Sequence, residues 1–142
     1  MNRRNFVGCL AAGALGRLQS ATLPRIAAST IKDHLEALSV FWRPDGGGFQ
    51  DGASRIGYSD ADVAGRRFVM NLMRSAGAEV RVDAAGNNFA SRPGRKPSLP
   101  PVLFGSHIDS VPNGGNFDGD LSSPSAVQIF ADAEGSGDRD AK

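Results

Sequence analysis

VLFGSHIDSVPNGGNFDG, residues 102–119, joins an apolar triplet to a glycine-rich bend that carries one His and two Asp. Val102, Leu103 and Phe104 leave no polar face, a pattern that predicts a strand buried in a sheet covered on both sides. The segment GSHID then falls at the carboxyl end of that strand, where open α/β sheets build their sites. In extended backbone His107 and Asp109 point to the same side. A carboxylate so placed can hydrogen-bond one ring nitrogen, fix the tautomer and leave the other nitrogen for a metal ion. Asp118 returns after the Pro112-Asn113-Gly114-Gly115 turn, so the chain can bring a second oxygen ligand beside His107. Gly114, Gly115 and Gly119 suit a backbone wound tightly around an ion. The spacing alone leaves a metal site and a polar loop both open, because one His and one Asp are an incomplete ligand set for a transition metal.

Working upstream, Ile31, Leu35, Leu38 and Phe41 recur at helical spacing, predicting an amphipathic helix over 29–41 with Ser29 or Thr30 as its cap. His34 lies beside that apolar stripe and reads as structural. Residues 42–58 hold five Gly and a Pro and read as a loop. Gly46-Gly47-Gly48 has neither a preceding strand nor a following Gly-Lys-Ser/Thr, which argues against a phosphate loop. Ser59, with Asp62 three residues on, opens a second helix that runs to about Ala76 and stops at Gly77. Residues 78–83, AEVRVD, alternate as a half-buried strand does, Gly86-Asn87 makes a turn, and residues 88–91 return as a short strand. The Pro-rich RPGRKPSLPP is an exposed connection. Helix, strand, strand and buried strand together indicate an α/β or α+β layered domain.

The chain has 142 residues, enough for one domain with a real core. Its formal charge of +1 gives no electrostatic case for nucleic acid or an anionic membrane. That total conceals an asymmetry. Arg3, Arg4, Arg17 and Arg25 stand in the first 28 residues with no acid, leaving 12 basic against 15 acidic residues beyond them. MNRRNFVGCLAAGALGRLQSA resembles a twin-arginine export signal, carried by Arg3-Arg4-Asn5-Phe6-Val7, with removal expected between Gly16 and Ala28. The apolar stretch is too short to span a bilayer. The expected location is therefore periplasmic or otherwise extracytoplasmic, with the cytoplasm as the alternative. Cys9 is the only cysteine, so no thiolate cluster is available and any metal must be held by His and carboxylate. Too few apolar residues precede it for a lipoprotein box.

Two separated blocks match a known pattern in order. LPPVLFGSHIDSVPNGGNFDGDL resembles the signature of the dinuclear-metal amidohydrolases that include N-carbamoyl-L-amino acid hydrolase, allantoate amidohydrolase and beta-ureidopropionase, relatives of the aminoacylase and carboxypeptidase type of metallopeptidase. YSDADVAGRRFVMNLMRSAGAEVRVDAAGNNF is similar to the same family's N-terminal helix, strand and Asp-x-x-Gly-Asn turn. The resemblance covers about residues 31–135. It implies an α/β fold: a partial mixed-sheet layered domain corresponding to the N-terminal part of a metallopeptidase-like catalytic domain over 29–137, after a signal segment 1–28 and before a polar tail 138–142.

It also implies that His107 ligates one of two divalent metal ions, that Asp118 bridges both, and that Asp109 orients His107. The ions are Zn, Mn, Co or Ni by donor chemistry. The implied reaction is hydrolysis of a linear C–N bond in a small ureido or amide substrate by a metal-activated water, with a glutamate as base. A homodimer is implied for full-length members only.

The family pattern continues with a helix, a Glu-Glu pair, further ligands and a dimerising domain. Residues 124–137 read as that helix, with Ala126, Val127, Ile129, Phe130 and Ala133 as its apolar face; alternatively VQIFADAEG, residues 127–135, is the later strand with Glu134 as ligand and Ala133 where the base belongs. One periodic apolar segment favours the helix. Under either reading this stretch lacks the catalytic glutamate, so the expectation is a site carried only in part. The alternatives are a non-catalytic fragment and a portion of an aminopeptidase or deacylase.

Overall fold

The stripe at Leu35 and Leu38 does bury: both side chains lie inside α1, Ala28–Ser39, in a computed structural model that describes residues 26–94 and 96–135. The twin-arginine segment through Arg25, Cys9 and the tail 138–142 lie outside the described residues. The start of α1 differs from expectation. Its N-cap is Ala27, with no side-chain hydrogen bond, because Ser29 falls inside the first turn. His34 is half-buried, as a structural histidine would be, and its Nδ1 has no partner among the described residues.

The second helix, α2, spans Asp60–Ser75, and Ser59 caps it by accepting a hydrogen bond from the Asp62 amide at 3.3 Å. Asp60 and Asp62 in the first turn and Arg74 in the last suit the helix dipole. Gly77, at φ 77°, takes the left-handed conformation that ends it. β1, Glu79–Val82, and β2, Asn88–Ser91, pair antiparallel with Glu79 opposite Ser91 and Val82 opposite Asn88. Asp83 holds their turn by accepting from the amides of Ala85 and Asn87. α3, Ser122–Gly135, settles the helix-or-strand alternative for that stretch in favour of the helix. Its packing face is rotated from expectation: Pro124, Val127 and Gln128 are buried, whereas Ile129 and Ala133 are exposed.

Helix α2 is the hub, touching both strands and both other helices. The small apolar core is Leu35, Leu38, Ala53, Ala61, Val69 and Val127. Phe41 meets Phe68 at a tilt of 46° with ring centres 5.7 Å apart, extending that core toward the end of α1.

A further expectation, the buried strand, is overturned. Residues 102–104 are not a strand; they have no regular structure, and Val102 and Leu103 are 87% and 80% exposed. A buried central strand needs neighbours for its amides and carbonyls. The only sheet among the described residues is the β1–β2 pair, so no mixed sheet forms around the triplet.

Candidate metal-binding loop

Gly105, at φ 157°, links the apolar triplet to the loop. The His107 Nδ1 then lies 3.2 Å from the Asp109 carboxylate and 3.1 Å from the Asp109 carbonyl oxygen. Both neighbours are acceptors, an arrangement that favours the neutral tautomer with its proton on Nδ1 and its lone pair on Nε2. His107 and Asp109 are each about half exposed, at 52% and 51%. Opposite the imidazole, Asp109 faces the backbone of Gly57, where a Cβ would stand 3.5 Å from Oδ2.

The returning limb is close-packed on the imidazole. Gly119, at φ 61°, lies so near that a Cβ there would overlap the imidazole, 2.5 Å from Nε2 and 2.6 Å from Nδ1. Asp118 precedes it on an exposed turn that winds into α3 through Leu121 N–H to Phe117 O and Ser122 N–H to Gly119 O. The structure thus joins His107 to Asp109 directly and brings the residue after Asp118 against the same ring. The donors are nitrogen and carboxylate oxygen, in keeping with a borderline divalent ion. No group of three or more His, Cys, Asp or Glu that could hold a metal occurs among the described residues.

The residues that hold this loop were not apparent from sequence. The Ser123 hydroxyl donates to the His107 carbonyl at 3.1 Å, tying the His107 backbone to the first turn of α3. The glycine-rich segment 42–58 is a brace. Asn116 donates to the Phe49 carbonyl, Phe117 packs edge-on against Phe49, and Ala53 and Gly114 exchange amide hydrogen bonds at 3.0 Å. Arg55 completes the lacing: its amide donates to Ser110 Oγ and its carbonyl accepts from the Ser110 amide. Its guanidinium pairs with Asp120, and both are buried. Burial pushes the Asp120 carboxyl up, against the downward pull of Arg55.

A second charged cluster borders the loop. Arg66 reaches back one helical turn to Asp62, donates to the Gly86 carbonyl and lies 5.0 Å from the Tyr58 ring centre. The hydrogen bond to Asp62 raises the Arg66 pKa despite some desolvation, with smaller contributions from Tyr58 and Asp109. A cavity of about 740 Å³ opens here, with Tyr58, Arg66, Phe104, His107, Asp109 and Phe130 on its walls.

No family model matches the chain. A ureidoglycolate hydrolase of Arabidopsis thaliana is 36% identical over 118 residues, which is 83% of this chain and 24% of that protein. An N-carbamoyl-L-amino-acid amidohydrolase of Paenarthrobacter aurescens is 39% identical over 98 residues, 69% of this chain and 23% of that protein. The crystal structure of AtUAH in complex with glyoxylate superposes with a TM-score of 0.74 at 36% identity, over 82% of this chain and 27% of that one. The chain therefore spans about a quarter of the length of the curated relatives it matches.

Proposed function

Because the chain belongs to the amidohydrolase family of the N-carbamoyl-L-amino-acid amidohydrolases, allantoate amidohydrolase and ureidoglycolate hydrolases, we propose that it is a portion of a metal-dependent hydrolase of linear C–N bonds in ureido or amide compounds. In this reading His107, through Nε2, and Asp118 are ligands to divalent ions. Asp109 holds the His107 ring in the tautomer that keeps Nε2 available. When bound, the ions supply polarisation of the scissile carbonyl and acidification of the attacking water. The further ligands and the glutamate base belong to the part of the relatives' length that this chain does not match. The same part supplies the mixed sheet in which residues 102–104 find their neighbours. The Arg3-Arg4 segment directs export, so Arg3→Lys/Arg4→Lys is expected to keep the protein in the cytoplasm on fractionation.

The observation that carries the reading is the half-exposed imidazole of His107, held at Nδ1 by Asp109, with Gly119 packed against the ring. Zinc and manganese binding to the purified protein, measured by calorimetry, tests it. The expected result is saturable binding that His107→Ala weakens at least tenfold; equal binding by the two proteins would exclude it. A longer protein containing the remainder of the fold is expected to hydrolyse carbamoyl amino acids or allantoate in preference to dipeptides. A second reading, a fragment that holds a metal weakly and catalyses nothing, is favoured by the missing third ligand among the described residues. Binding only at millimolar metal, with no activity in the longer protein, would support that reading.

A further inference from the structure

A fully buried arginine with five donors is costly to hide unless its hydrogen bonds are met. Arg55 is 0% exposed, and the partners it meets come from three separate segments. Nε donates to the Ile108 carbonyl at 2.6 Å, between His107 and Asp109 in the chain. Nη1 donates to the carbonyls of Leu38 and Phe41, at the end of α1. Nη2 pairs with Asp120, two residues beyond Asp118. The same guanidinium therefore grips both limbs of the loop and anchors them to α1. The neighbouring helix makes room for it: a Cβ at Gly65 of α2 would stand 2.8 Å from the Arg55 Cδ. Glycine is a poor residue for a helix interior compared with alanine, so that space is kept against local helix propensity.

We propose that Arg55 and Asp120 are a positioning pair, which holds the 107–110 and 118–120 limbs in register and thereby sets the tautomer and orientation of His107. The inference deepens the reading of His107 as a metal ligand and rests on it for its functional meaning. Neither Arg55 nor Asp120 is assigned contact with an ion. A lysine cannot substitute, because a single ammonium cannot span Ile108, Leu38 and Asp120 as a planar fork does.

The test uses Arg55→Lys, Asp120→Asn and the paired Arg55→Met/Asp120→Leu, in which apolar groups of similar volume replace the buried ion pair and commonly preserve the fold. Long-range proton–nitrogen spectra at about pH 8.5, two units above the ordinary histidine pKa, read the His107 tautomer without any metal. Wild-type protein is expected to show the Nδ1–H form as the major species. Folded variants are expected to lose that preference at least fivefold and to bind zinc at least tenfold more weakly. Should the paired variant fail to fold, Asp120→Asn carries the same comparison with the shape of the site retained.

A folded variant with the wild-type tautomer ratio and zinc affinity within twofold of wild type would overturn the positioning role, while leaving the ligand reading intact. Wild-type protein that binds no zinc, with a tautomer that still shifts in the variants, overturns the ligand reading and upholds the positioning.

Discussion

At Gly119 two constraints fall on one residue. Its φ of 61° is left-handed, and the space where a Cβ would sit is taken by the His107 ring. The first constraint alone costs a non-glycine residue about 1–2 kcal/mol; the second forces the imidazole to move. Gly119→Ala is accordingly expected to lower stability by about 2 kcal/mol in urea unfolding and to displace the His107 ring resonances. Unchanged His107 resonances in a folded variant would show that the two residues are not packed together. His107 and Asp109 were legible in the sequence because extended backbone puts alternate residues on one side. Arg55 and Asp120 were not, since nothing local marks a charge for burial when its partners lie 53 and 65 residues away. Ser123 escaped for the same reason: its partner, the His107 carbonyl, lies 16 residues back in the chain.

Among the elements, those closed by local chemistry were the readable ones. Helix α2 begins at its Ser cap and ends at a left-handed glycine, and the β1–β2 hairpin follows from alternation plus a Gly-Asn turn. That turn also carries a pH signature. Asp83 accepts from the Asn87 side chain and from the amides of Asn87 and Ala85, and these bonds hold its carboxyl below the ordinary aspartate value of about 3.9. A depressed folded-state pKa means that the stabilisation is complete above the unfolded value and is lost as pH falls through the folded one. Acidification from about pH 4 downward is therefore expected to loosen residues 83–87 first. Carbon-detected titration should place the Asp83 carboxyl below a reference peptide, and amide exchange at Asn87 should quicken as it protonates. An Asp83 titration at or above the peptide value would sink this account. Elsewhere the local signal misled: α1 begins ahead of the Ser expected to cap it, and α3 buries Gln128 where periodicity favoured Ile129.

Across the whole molecule, the apolar triplet separates what composition dictates from what the described chain can satisfy. Three consecutive large apolar residues favour burial in any context. A strand nevertheless needs flanking strands, and β1 and β2 pair only with each other. Val102 and Leu103 therefore remain among the most exposed apolar side chains, beside an open cavity whose walls they share with Phe104 and Phe130. The proposal that this run belongs to a larger sheet yields opposite expectations in two proteins. In this chain, Leu103→Asp removes little buried surface, and unfolding stability should change by no more than about 0.5 kcal/mol, with weaker self-association. At the aligned position of a full-length relative, where the proposal places the side chain inside a covered sheet, the same change should cost at least about 3 kcal/mol. Parallel denaturant curves on the two proteins decide the matter. A small effect in both means that the triplet is a surface segment throughout the family, and a large effect in both means that this chain already buries it.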